Sequence, residues 1–484
     1  MGEARAGQAA MRPGLGLFDV TSLVIGAIVG ADIYVASSFG AGLLGPAALI
    51  AWVAAGVMAM VIALSFAQAA MLVPRVGGSY EYVREAFGSI PGFAVGWALW
   101  LAEWTSLAVF PIAFSRYVSV FFPLSPLGTA GAKVVFVIFL TVSNYLGTRA
   151  AGRVNDVLTV AKMGPLILFA LLGLLVLGRD PALFRAHLTP LAPLGWSGFG
   201  PALVAIFWAY AGFELAVIPA GEIDNPQRTI PTAIGIGLSV VLVFYLATNL
   251  AVFGVVPWQQ LATSGVPLTD ASRALLHSFF PRWAVSGGMV MAGGAVLSVL
   301  GSDESGTLGT SRLGYAMAVE GYAPAMLARL HPRYGTPYVA LLFQNTAALV
   351  AALVGTLGSL IKVAVFNLGI VYFVTCLAVL RLHARARGPA HRGVLERAVP
   401  YAGLAAATYL VWQVGWREKL MGLCLLALGL PIYLLSSRRQ LPQRKAELLA
   451  WRRELVPAGA HSERFLAHAV KHLVGLVSPR VGRR

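Results

Sequence analysis

The stretch Phe207–Pro231, FWAYAGFELAVIPAGEIDNPQRTIP, decides the fold. It opens as an apolar membrane helix, carries Ala211, Gly212 and Glu214 near its middle and Pro219 a few residues later, and ends in the polar run Asn225–Pro231, which reads as a turn. Proline removes a backbone donor and glycine loosens a helix, so the hydrogen-bond ladder is expected to break near bilayer mid-depth. Hydrocarbon cannot satisfy the freed N–H and C=O groups, so such a break has to face protein or a water-filled cavity. Solute sites in membranes are built on breaks of this kind.

The rest of the chain fits that setting. Of its 484 residues, 58% are hydrophobic and only 12% charged, with a mean hydropathy of +0.76. A soluble chain carries about 25% charged residues. The cysteines, Cys376 and Cys424, both lie in apolar runs and imply neither a disulfide framework nor a zinc site. The first apolar run is too long for a cleavable signal peptide and leads directly into further spans. About twelve candidate spans follow, at roughly 17–44, 46–73, 92–122, 132–148, 153–178, 199–221, 231–256, 283–311, 337–356, 358–381, 399–415 and 418–436. With the N-terminus in the cytoplasm, about 26 of the 36 Lys and Arg fall in cytoplasmic segments, so the net charge of +16 reads as topology rather than nucleic-acid binding. The tail, 437–484, alternates basic and apolar residues. It reads either as amphipathic helices on an anionic lipid surface or as a solvated segment.

The first span, Gly16–Gly45, holds Gly26 and Gly30, which are expected to interrupt it, and Asp32 near its middle. The interruptions of the first and sixth spans lie five spans apart. That spacing predicts an inverted repeat, about 17–178 and 199–381, with a site where the breaks meet. The alternative is that the glycines serve close helix packing.

Three segments carry a family resemblance: GAIVGADIY (26–34), FWAYAGFE followed by GEIDNPQRTIP (207–231), and SRLGYAMAVEGYAPAMLARLHPRYGTP (311–337). The chain resembles the amino acid–polyamine–organocation permeases over most of residues 14–436. The resemblance implies an all-α integral membrane protein with a LeuT-like five-plus-five inverted repeat, broken helices 1 and 6, and two added helices at 399–436. It further implies that backbone N–H groups of Gly30, Ala31 and Asp32 hold a solute carboxylate, an arrangement that a half-helix N-terminus supports physically. The solute ammonium would meet carbonyls near Ile28, Phe207 and Tyr210, beside Gly212 and Glu214, with Tyr210 and Trp208 closing over it.

Asp32 stands where the family usually has glycine. It either meets an amine of the solute, pairs with a cation for coupling, or caps its own turn. Lys162 in span 5 matches a lysine that takes the place of a sodium ion in proton-coupled members; the alternative is that it snorkels to the interface. Gly26, Lys162, Asp303 and Glu304 form the expected coupling set. The adjacent acids Asp303 and Glu304 point to helix faces about 100° apart, and one of them is expected to face Lys162. Glu103 is a further intramembrane acid without an assigned role.

No HExxH or P-loop pattern is present and no cofactor is expected. The reading is a secondary active transporter of amino acids, amines or polyamines in the plasma membrane. It works by alternating access with protons as the coupling ion, has both termini cytoplasmic and anionic lipids at the tail, and does not bind nucleic acid. An exchanger, a solute sensor with the tail as output, and a channel are the rival readings.

Overall fold

A helix of twelve residues rises about 18 Å, too short for a hydrocarbon core of about 30 Å. In the computed structural model, Leu17–Ile28 and Phe199–Tyr210 are apolar segments of this length, the first halves of spans 1 and 6. The structure describes residues 16–30, 32–73, 77–146, 148–216, 223–385 and 393–436; among these, the side chains of 148–162, 215–216, 394–395 and 434–436 lie outside the description.

The elements in order are α1 (Leu17–Ile28), α2 (Ile33–Leu44), α3 (Ala48–Leu72), α4 (Ser79–Phe87), α5 (Ser89–Leu107), α6 (Val109–Val118) and α7 (Pro126–Tyr145). Next come α8 (Thr148–Arg179), α9 (Pro181–Leu188), α10 (Phe199–Phe207), a 3-10 turn (Trp208–Tyr210), α11 (Phe213–Ala216) and α12 (Pro226–Val255). They are followed by α13 (Trp258–Thr263), α14 (Pro267–Phe279), α15 (Ala284–Val319), α16 (Tyr338–Val354), α17 (Leu357–Arg385), α18 (Val394–Gln413) and α19 (Trp416–Ser436). Among the described residues there is no strand. Six helical segments there are long and apolar enough to cross a membrane, and seven if α8 and α9, bent by 102°, form one span.

Side-chain placement reverses that of a soluble helix. On α7, Val135 and Ile138 are 65% and 56% exposed, and Phe139 and Val142 are exposed beside them, whereas Ser143 and Asn144 are buried. Apolar side chains outward and polar ones inward is the arrangement that lipid imposes. The chain is a multi-pass membrane protein.

Three boundaries differ from the expectation. Residues 226–231 are not a turn: α12 begins at Pro226, with Asn225 before it at φ 47°. Proline at a first helical position loses no hydrogen bond, and asparagine tolerates the left-handed region. Helix α15 runs on to Val319, because Met317 and Ala318 are buried and Gly314 lies against the Trp100 ring. Gly26 does not interrupt α1. The ladder passes through it to Ile28, and Val29 N–H still donates to the Ile25 carbonyl at 2.8 Å.

Helix α15 is the hub that positions the site, packing on α5, α6, α7, α8, α14 and α16. Its last turn is tied to α4. The Tyr80 hydroxyl donates to Glu320, and Arg84 bridges Glu81 at 2.8 Å and Glu320 at 3.6 Å.

Candidate functional site where two broken helices meet

The first break runs from Val29, which is extended at ψ 97°, to Asp32, which precedes α2. The second begins at Ala211, extended at ψ 158°, and continues through Gly212 at φ 117°. Only glycine adopts such a φ without strain. A Cβ on Gly212 would lie 2.5 Å from the Ala27 carbonyl oxygen and 3.5 Å from the Ile28 nitrogen. The backbone of the second break therefore rests directly on the last turn of α1, where the first break begins.

Tyr245 of α12 stitches the first break. Its hydroxyl lies 3.1 Å from the Ile28 carbonyl oxygen and 3.2 Å from Asp32 Oδ2, and one proton serves both acceptors. The Gly30 N–H acts on the same hydroxyl. Gly30 faces α15 as well: a Cβ there would be 2.6 Å from Asp32 Oδ1 and 2.8 Å from Ser302 Oγ. Asp32 is buried and makes no side-chain cap bond to its own helix. Ala31, expected beside it, lies outside the described residues.

At the second break, Glu214 Oε2 accepts from the Gly212 N–H at 3.0 Å and from the Tyr372 hydroxyl at 3.2 Å. Its carboxylate thus serves the freed backbone of its own half-helix. Glu103 of α5 is near enough for its charge to interact with that of Glu214. Phe207 packs against Tyr372, with ring centroids 6.0 Å apart. Trp208 and Tyr210 turn to different neighbours. The Trp208 indole N–H donates to Ser106 Oγ at 3.2 Å, and the Tyr210 hydroxyl donates to the Trp52 carbonyl at 3.0 Å. In this conformation they do not close over one place.

Helices α2, α8 and α15 converge at Gly294, where a Cβ would lie 2.9 Å from Pro165 and 3.6 Å from the Tyr34 hydroxyl. Lys162 belongs to α8, one turn before Pro165, and its side chain lies outside the described residues. Asp303 is buried, with Oδ1 3.5 Å from Thr307 Oγ1. Glu304 points elsewhere, to Ser143 of α7. Gly26 lies off the break, within α1. The structure thus brings together Ile28, Gly30, Asp32 and Gly212, and separates Gly26 and Glu304 from them.

A profile described as Amino acid permease matches residues 15–415, which spans both breaks and the hub helix. The chain belongs to the amino acid permease family. It is 28% identical to the branched-chain amino acid permease BcaP of Bacillus subtilis (strain 168) over 459 residues, covering 90% of this chain and 95% of that one. It is 27% identical to the serine/threonine exchanger SteT of the same organism, covering 88% and 97%. It is 30% identical to the human Asc-type amino acid transporter 1, covering 88% and 83%. Family and relatives are membrane transporters rather than enzymes, and the amino-acid-permease resemblance of the sequence is thereby established.

Tyr245 and Ser302 border the first break without standing among the residues expected there. The signal for Tyr245 was a hydroxyl and, four residues on, Asn249 inside the apolar run of α12. Ser302 directly precedes the two acids Asp303 and Glu304, whose charge is the stronger sequence signal.

Proposed function

We infer that this permease carries amino acids or related amines across the plasma membrane by alternating access, coupled to protons. The observation that carries the reading is the backbone contact of Gly212 with Ala27 and Ile28 in a chain that matches the family through both breaks. The relatives are named for branched-chain amino acids, for serine and threonine, and for amino acids generally. What these solutes share is the α-carboxylate and α-ammonium. The Gly30 N–H is a donor for the carboxylate and the Ile28 carbonyl an acceptor for the α-ammonium, while Asp32 meets the extra amine of a cationic solute. A solute that enters takes over these groups from the Tyr245 hydroxyl. Two broken segments five spans apart support an inverted repeat of 17–178 and 199–381 within about twelve spans, with 399–436 added and the termini 1–16 and 437–484 in the cytoplasm. Lys162, on the helix that packs against α15 and α12, is the proposed proton carrier; a lysine away from water favours its neutral form, and a proton can then bind and leave.

Tracer uptake into proteoliposomes tests this. We expect saturable accumulation of an amino acid driven by ΔpH and indifferent to a sodium gradient, and loss of the ΔpH response in Lys162→Ala. Solute binding without movement would make the protein a sensor. Non-saturable flux would make it a channel, one-for-one exchange without ΔpH response an exchanger, and sodium-driven uptake would overturn proton coupling.

A further inference from the structure

Helix α15 carries polar side chains on opposite faces. Ser302 reaches the first break. Glu304, two residues on and about 200° round the helix, reaches away from it to α7, where Ser143 Oγ donates to Glu304 Oε1 at 2.7 Å. One turn along, the Thr307 carbonyl accepts from Gln344 Nε2 of α16 at 3.0 Å. Next to Gln344, Asn345 Nδ2 donates to Thr141 Oγ1 of α7 at 2.8 Å. These contacts close a polar ring through α7, α15 and α16, behind the lipid-facing wall of Val135, Ile138 and Val142. Apart from the half-buried Thr141 it lies inside the protein: Glu304 is 1% exposed and Gln344 0%.

The ring is short of donors. Glu304 Oε2 and Gln344 Oε1, and Asn144 Oδ1 next to Ser143 on α7, are buried acceptors without a hydrogen-bond partner among the described residues. Glu304 enters no ion pair among them. An ionised carboxylate left with a bare oxygen at this depth is costly, and a proton on that oxygen both removes the charge and supplies a donor. The charged surroundings do not provide a substitute. Asp303, the residue before it on α15, is a second acid; α7 and α16 present hydroxyls and amides to the ring, and Lys133 of α7 donates to the Ala352 carbonyl at 2.8 Å; Glu103 of α5 lies near Glu214 instead. Helix α8 carries Arg149, Arg153, Asp156 and Lys162, whose side chains lie outside the described residues.

We propose that Glu304 is an intramembrane proton-binding site, separate from the solute site, with its proton on Oε2 inside the α7–α15–α16 ring, released when the permease changes the face it opens. The release step rests on the alternating-access reading above; the protonated state does not.

The infrared difference spectrum between the wild type and Glu304→Gln in membranes at neutral pH decides the protonated state. Loss of a protonated carboxylic acid band is expected, and loss of a carboxylate band would overturn the proposal. A rise in thermal stability with sodium or potassium in the wild type, absent in Glu304→Gln, would also overturn it, because a metal ion would then balance the charge. Should Glu304→Gln fail to fold, Ser143→Ala serves. Removing the donor to Oε1 disfavours the ionised form, so the acid band should persist to higher pH, and an unmoved titration would contradict the assignment. In proteoliposomes, Glu304→Gln is expected to keep solute exchange and lose ΔpH-driven accumulation. Retained accumulation would refute release of this proton during transport. A wild type without ΔpH response would instead refute the coupling reading, and the infrared result would still stand.

Discussion

Gly212→Ala is expected to abolish solute binding and to destabilise the permease by about 3 kcal/mol or more, since a non-glycine residue held at positive φ costs on the order of 1–3 kcal/mol before any collision is counted. Here there is a collision. The new Cβ would meet the Ala27 carbonyl oxygen at 2.5 Å and its carbon at 2.9 Å. Both atoms are backbone, so no flexible side chain can move aside. The two breaks must separate, or Gly212 must leave its conformation. In either case the Gly212 N–H loses its alignment with Glu214, and Tyr372 keeps a carboxylate without its backbone partner. Thermal unfolding in detergent together with equilibrium binding of a labelled amino acid checks this. Gly26→Ala is the control, because a Cβ at Gly26 meets nothing within 4 Å and the helix there is continuous.

Asp32→Asn is expected to weaken amines and basic amino acids ten- to a hundredfold, about 1.5–3 kcal/mol, which is the range for a lost charge-assisted hydrogen bond. Neutral amino acids should lose much less. The substitution leaves the local frame intact, because an asparagine oxygen still accepts from the Tyr245 hydroxyl that now lies 3.2 Å from Asp32 Oδ2. The effect therefore reports charge rather than shape. Competition assays with matched neutral and cationic solutes across pH 5–8 separate the possibilities. Equal loss for all solutes, with a shifted pH dependence, would move Asp32 into the coupling machinery. No loss at all would reduce it to a helix-terminal residue.

How much of this was legible in the sequence depended on whether the cause was local. The breaks at Val29–Asp32 and at Ala211–Gly212 follow from glycine within apolar runs, and the structure has them where the sequence pointed. Gly26 shows the limit of that argument. A glycine surrounded by Val24, Ile25, Ala27 and Ile28 costs a helix little when the ladder can run through it. The polar run at 225–231 was misread for a related reason: Pro226 begins a helix as readily as it ends one. What was illegible is the long-range pairing. Nothing in the local sequence of Gly212 says that Ala27 is its neighbour, or that the hydroxyl of Tyr245 lies on the first break. The helical period alone separates Ser302 from Glu304, but it cannot say which of the two faces the site. Packing on α7 decided that, through Ser143.

We propose that the solute occupies the space where the two breaks meet, bordered by Gly30, Asp32 and Ser302. A single thiol at this border tests it most directly. In the Cys424→Ser background, with Cys376 buried, Ser302→Cys carries the accessible thiol of the described residues. The rate at which a small thiol reagent alkylates it is measured with and without a saturating amino acid. Occupied sites are almost never open, so slowing of roughly tenfold or more is expected at concentrations well above Kd. An unchanged rate in a protein that demonstrably binds the same amino acid would contradict it.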